Sequence, residues 1–269
     1  MNSNIKDYSY IYQGAGGSAV ILVHGMTGTP VEMKFVAKHI NKKGFSVYVP
    51  TLAGHCIDES AFVQSTWQDW YNTLETTMYE ALKTHDKVYV AGICVGGALG
   101  LYLAYRHPDK IRAATLYSAT LNYDGWNTPF YFKYASILVP IGIRIPFIRN
   151  IRMSDAFPYG IKSERIRNLI IKNSDSMAGA LPNFPAKGLH ENYKLLRVIK
   201  NILPEIKTPT LLLHAKEDEV SNPRNSEYIN KHLGGISELH LLEDSYHMIH
   251  VDGERAKVSD LTADFFTRY

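Results

Sequence analysis

The sequence predicts an α/β protein: a mostly parallel, doubly wound sheet with an inserted helical cap. Three observations predict it. Short β-branched apolar runs alternate with helical patterns along most of the 269 residues, and strands separated by helix-length segments pair in parallel through crossovers. The alternation fails between Leu121 and Glu205 and resumes beyond it. Glycine, histidine and acidic residues cluster just after several of the runs, where open α/β sheets carry their sites. The expected organisation is therefore a core of residues 1–120 and 206–269, with a cap over 121–205.

The elements follow in order. Ala19-Val-Ile-Leu-Val23 reads as a fully buried strand, an apolar run without alternation. Thr29-Pro30 supplies an N-cap and a first-turn proline for a helix that Gly44 stops. Ser46 to Pro50 is the next strand. From Trp67 to about Leu82, Trp67, Trp70, Leu74 and Met78 fall on one helical face. Lys87 to Ala91 is a strand, Val95 to Tyr105 the helix after it, and Ala113 to Ser118 another strand. Thr210 to His214 and Glu238 to Leu242 are two more strands, followed by helices near Pro223–His232 and Gly253–Thr267. The cap region is rich in Tyr, Phe, Pro and Ile and has one clear helical piece, Glu191 to Ile202.

Bulk properties exclude several classes. Apolar content of 45% and charged content of 20% are globular values. A net charge of +3 does not indicate a nucleic-acid binder. The N-terminal MNSNIKDYSY has no apolar signal region. The apolar stretch Ala135–Ile148 is too short to span a bilayer and contains Pro140, Arg144 and Pro146. Two cysteines, Cys56 and Cys94, give no disulfide framework. The expectation is a cytoplasmic protein without a transmembrane segment. The cap carries twelve Lys and Arg against six Asp and Glu, so it is net +6 while the rest of the chain is net −3. This reads either as a solvated helical surface or as a basic rim for an anionic substrate or carrier.

The chemistry centres on Gly92-Ile-Cys-Val-Gly96, where a strand should turn sharply into a helix. Small residues on both sides permit a nucleophile elbow. A thiol at a helix N-terminus is expected to ionise more readily, because the helix dipole favours the thiolate. The competing reading of Cys94 is a buried core thiol, the commonest fate of a free cysteine. Three further stretches favour the nucleophile. His24-Gly-Met-Thr-Gly28, after the first buried strand, is suited to an oxyanion hole, with backbone donors from Met26 and from Val95. Glu217-Asp-Glu219 follows a strand end and offers a carboxylate to orient a histidine. Asp218 is the choice, and the two glutamates read as solvated. Asp244-Ser-Tyr-His247 follows the last strand. His247 is preferred to His250 as general base because it follows by a short turn. The order Cys94, Asp218, His247 is that of nucleophile, acid and base in one widespread hydrolase architecture.

Together with Thr66-Trp67-Gln68-Asp69-Trp70 and Leu52-Ala53-Gly54-His55, these motifs resemble the α/β-hydrolase superfamily over essentially the whole chain. They look most like the compact bacterial carboxylesterases and monoacylglycerol lipases. In the loop where that family often has Gly-His-Gly, Cys56 replaces the last glycine. The resemblance implies hydrolysis of carboxylic esters through an acyl-enzyme, with no metal or organic cofactor. Cys94 departs from that branch, which uses serine. Its Gly-x-Cys-x-Gly-Gly box is similar to that of polyhydroxyalkanoate synthases, and dienelactone hydrolases also pair Cys with Asp and His. A laboratory Ser→Cys replacement would give the same sequence. The main expectation is an acyl hydrolase acting on a small-molecule ester or thioester. The alternative is an acyltransferase or cyclase drawing acyl groups from coenzyme A or an acyl carrier protein. A pseudoenzyme or binding module and a carbon–carbon bond-cleaving enzyme are the remaining readings. In either acyl reading Ala135–Ile148 is expected to line the acyl pocket, or otherwise to be cap core.

Overall fold

The computed structural model describes residues 7–145, 150–154, 157–173, 175 and 178–269. Seven strands form the main sheet: β1 (Tyr10–Tyr12), β2 (Ser18–Val23), β3 (Ser46–Val49), β4 (Lys87–Ile93), β5 (Ile111–Tyr117), β8 (Thr210–Ala215) and β9 (Ser237–Leu242), in the order β1-β3-β2-β4-β5-β8-β9. All neighbours are parallel except β1, which pairs antiparallel with β3 at the edge. The predicted doubly wound sheet is therefore present. Edge strand β1 was not anticipated: three residues with a half-exposed pattern carry no periodic signal.

Helices cover both faces. The predicted helix after Thr29 is a 3₁₀ turn, Pro30–Met33, running into α1 (Lys34–Lys42). Then come α2 (Glu59–Gln64), α3 (Trp67–Leu82) and α4 (Val95–Arg106). After β8 and β9 come α8 (Arg224–His232) and α9 (Arg255–Thr267). Successive side chains of β2 point to opposite faces. Ala19, Ile21 and Val23 share a core with Trp70 and Leu74 of α3 and Leu99 of α4, while Val20 and Leu22 pack with Val36 of α1 and Phe265 of α9. Both faces are dry, so the strands read as unbroken apolar runs.

Between β5 and β8 lie α5 (Ala135–Gly142), β6 (Arg152–Ser154), α6 (Glu164–Lys172), β7 (Asn183–Pro185) and α7 (Ala186–Ile202). β6 and β7 form a separate antiparallel pair, with Met153 opposite Phe184. α7 starts five residues before the predicted Glu191. Pro185 precedes it, and Leu195, Leu196 and Ile199 are buried in the core shared with α3 and α4. Among the described residues no helix is long and apolar enough to cross a membrane.

Strand register positions the site. Val23 lies opposite Gly92, so the loop after β2 emerges beside the end of β4. Ala215 lies opposite Leu242, so the loops after β8 and β9 emerge side by side. Every candidate residue therefore sits at the carboxyl edge of the sheet, where strand order reverses around β2.

Candidate active site

Cys94 joins β4 to α4 with φ +53°, a left-handed conformation unusual for a residue with a side chain. The turn is tight enough to exclude side chains on either side. A Cβ on Gly92 would sit 2.5 Å from the carbonyl carbon of Gly96, and one on Gly96 would sit 2.5 Å from the Val23 carbonyl oxygen. The Cys94 N–H donates to Tyr117 O at 3.0 Å, which ties the turn to β5. The thiol is nearly buried: Cys94 packs with the core on one face of the sheet and also lines a cavity.

His247 lies on the same cavity. Its Nδ1 donates to Asp218 Oδ2 at 2.8 Å. The backbone around it is clamped. His247 N–H donates to Glu219 Oε2 at 3.0 Å, and Ser118 Oγ donates to His247 O at 2.7 Å. Burial pulls the imidazole pKa down, but the Asp218 charge and hydrogen bond outweigh it and hold His247 well above its ordinary value. Asp218 is fully buried and accepts the N–H groups of Val220 and Ser221, each at 2.8 Å. Burial raises its carboxyl, and the facing His247 and His214 reverse that, leaving it well below the usual carboxylate range.

The structure corrects the reading of one neighbouring acid. Glu217 is exposed and pairs with Lys162, as a solvated residue does. Glu219 is not solvated: it is 3% exposed, and burial pushes its carboxyl up. The cause is the segment after β5. Gly125 N–H donates to Val220 O, Asn127 N–H donates to Glu219 O, and Trp126 Nε1 donates to Glu217 O, so this segment roofs the acid loop. His250 stands apart from Asp218. Its Nε2 is 3.6 Å from Glu32 Oε1.

Val95 follows Cys94 in the chain, and Met26 lines the same cavity as Cys94. Val95 opens α4, so its N–H has no partner within the helix. Met26 lines the cavity, and its N–H donates to no backbone acceptor among the described residues. Three residues fix this loop from behind. His55 Nε2 donates to Met26 O at 2.7 Å, and burial pulls His55 down to about 3, so the ring is neutral. His24 Nδ1 donates to Gly25 O at 2.9 Å, and its Nε2 accepts from Leu52 N–H at 3.3 Å. The buried Glu32 carboxylate accepts Gly25 N–H at 2.9 Å and Thr29 N–H at 3.4 Å, closing a capping box over Pro30–Met33. Glu32 was not singled out from sequence, although Thr29 followed three residues later by Glu is the capping-box signature. The sequence marks His55 only as part of the Leu52-Ala53-Gly54-His55 loop motif.

The cavity measures about 250 Å³. Its walls beyond Cys94 and His247 are largely apolar, including Phe132, Met153, Leu181, Phe184 and Leu189. Of the stretch Ala135–Ile148, expected to line it, the residues from Leu138 to Ile145 are not among the lining residues, and Leu138, Ile141 and Ile145 are exposed. Pro146, Phe147 and Ile148 lie outside the described residues. β6, β7 and the first turn of α7 contribute Met153, Phe184 and Leu189 to the wall, and α7 is itself anchored on the core. Among the described residues no group of three or more His, Cys, Asp or Glu is placed to hold a metal ion.

Residues 16–254 match the model of the family Hydrolase_4, described as "Serine aminopeptidase, S33". The chain is 26% identical over 262 residues to a thermostable monoacylglycerol lipase of Bacillus sp. (strain H-257), covering 96% of this chain and 94% of that protein. It is 23% identical over 255 residues to a carboxylesterase of Bacillus subtilis, covering 94% of each. A solved structure from a study of two metagenome-derived lipolytic enzymes superposes with a TM-score of 0.81 at 24% identity, covering 97% of each chain, and shares the α/β-hydrolase fold.

Proposed function

This chain belongs to the Hydrolase_4 family of the α/β-hydrolases, and from that premise we propose that it hydrolyses carboxylic esters of apolar acyl groups with Cys94 as nucleophile, His247 as general base and Asp218 as the residue that orients it. One observation carries this reading. A strained Cys94 and a His247 bound to a buried Asp218 at 2.8 Å open on the same apolar cavity. The names of the lipase and carboxylesterase relatives support an ester as the bond attacked.

The chemistry runs in two halves. His247 takes the Cys94 proton, and the thiolate attacks the ester carbonyl. Negative charge gathers on the carbonyl oxygen, where the N–H groups of Met26 and Val95 are its donors. The C–O bond breaks, and the alkoxide leaves with the proton held by His247, forming a thioester on Cys94. Water then attacks the thioester as His247 accepts its proton. The C–S bond breaks, the carboxylic acid departs, and thiolate and imidazolium remain. Asp218 stabilises the imidazolium each time it forms. Residues 121–205 act as the cap that shapes the acyl pocket.

The direct test compares p-nitrophenyl butyrate hydrolysis by the wild type and by Cys94→Ala. The reading expects turnover by the wild type and loss of nearly all of it in the variant. A Cys94→Ala enzyme that keeps the wild-type rate would overturn it.

A further inference from the structure

Tyr123 stands just beyond β5 and lines the cavity with Cys94 and His247. Its ring is wedged between Phe132 and Tyr193, with centroids at 6.3 and 6.0 Å. Its hydroxyl accepts a hydrogen bond at 2.8 Å from Nδ2 of Asn192, a fully buried residue of α7. The Cys94 side chain lines the same cavity and adds to the rise of the phenol pKa. The Asn192 hydrogen bond and the two ring contacts lie outside the Cys94, His247 and Asp218 arrangement.

We propose that Tyr123 is a further catalytic residue, donating its O–H to the sulfur of Cys94, and that Asn192 is the positioning residue that aims this hydrogen. The inference rests on Cys94 being the nucleophile. An amide N–H donating to a phenol oxygen occupies an acceptor site there and leaves the phenol hydrogen to point away from Asn192. Cys94, the reacting residue, shares the cavity that the phenol lines. Burial and the neighbouring Cys94 and Tyr193 hold the phenol well above its ordinary pKa, so it keeps its proton throughout the working range and remains a donor. A hydrogen bond to a charged acceptor is stronger than one to a neutral acceptor. The phenol therefore favours the thiolate over the thiol before attack. It favours it again when the C–S bond of the thioester breaks and sulfur leaves. In both steps the proton moves between sulfur, His247 and water, while Tyr123 retains its own. The oxyanion donors act on the carbonyl oxygen, so Tyr123 has a separate role: it fits the site to sulfur.

The test is the pH dependence of iodoacetamide alkylation, read by mass spectrometry at the Cys94 peptide so that Cys56 does not contribute. Tyr123→Phe removes one oxygen and should move the midpoint of the profile up by about one pH unit. Asn192→Leu should move it in the same direction by less, and should add nothing in the Tyr123→Phe background. A variant that only loosened packing would not produce this non-additive shift. A Tyr123→Phe profile superimposable on the wild type would overturn the role of Tyr123 and leave the nucleophile intact. An additive effect of Asn192→Leu would overturn the role of Asn192. No alkylation of wild-type Cys94 at any pH would overturn the nucleophile itself, and this inference with it.

Discussion

His247 Nδ1 and Asp218 Oδ2 lie 2.8 Å apart, and the same oxygen lies 3.2 Å from Nε2 of the buried His214. One carboxylate thus serves two imidazoles, and Ser226 Oγ at 2.7 Å from Nδ1 holds the second ring in place. In the proposed mechanism this pairing governs activity, and its charges give stability a pH dependence.

Asp218→Asn should keep the fold and lose about 10⁴-fold in kcat/KM, because an amide no longer fixes the tautomer or stabilises the imidazolium. The stability effect has a defined window. The folded His247 pKa lies above 6.5, so its contribution is fully present below pH 6.5 and is lost as pH rises through the folded value. The folded Asp218 pKa lies below 3.8, so its contribution is present above pH 3.8 and is lost as pH falls through the folded value. The melting-temperature gap between wild type and Asp218→Asn should be widest between pH 3.8 and pH 6.5 and should narrow as pH rises through the folded His247 value. A gap that widens toward pH 9 would contradict the pairing.

Glu32 anchors the loop that carries Met26, the proposed oxyanion donor. Glu32→Ala leaves the Gly25 N–H without its buried acceptor, which should destabilise the fold by about 1–3 kcal/mol in urea unfolding. Displacement of Met26 by even 1 Å should lower kcat by up to about a hundredfold. KM should change much less, since the apolar cavity walls are untouched. Unaltered kcat in a folded Glu32→Ala protein would show that the loop does not depend on this carboxylate.

Gly125 is where the roof meets the acid loop. A Cβ there would sit 2.2 Å from the Glu219 carbonyl carbon. Because the obstacle is backbone, Gly125→Ala should push the Glu217–Val220 loop outward, destabilise by about 1–3 kcal/mol and reduce kcat. Thermal melts and ester turnover check both effects. Wild-type behaviour in both would contradict the close approach.

Local chemistry made much of this molecule legible in the sequence. β2 and β4 are unbroken apolar runs, Gly92 and Gly96 bracket Cys94, and each candidate residue follows a strand end. Register then converts those positions into one site, since Val23 opposite Gly92 and Ala215 opposite Leu242 align the loops. What was not legible depends on distant partners. Glu219 looked like its solvated neighbour Glu217 until Gly125 to Thr128 covered it. Tyr123 meets Asn192 across 69 positions of chain, and nothing in either local pattern marks the pairing. In the cap, hydrophobicity pointed to Ala135–Ile148 as pocket wall, yet Leu138, Ile141 and Ile145 are exposed, and the short strands β6 and β7 contribute Met153 and Phe184. Apolar composition does not say which way a helix face turns.

Mass spectrometry of the protein during incubation with p-nitrophenyl butyrate tests the central claim most directly. The account predicts a butyryl adduct that maps to Cys94, builds within the first turnovers and decays in water with release of butyrate. It also predicts that His247→Ala greatly slows its formation at neutral pH, whereas His250→Ala does not. An adduct on another residue, one on Cys94 that persists in water, or none at all during turnover would contradict it.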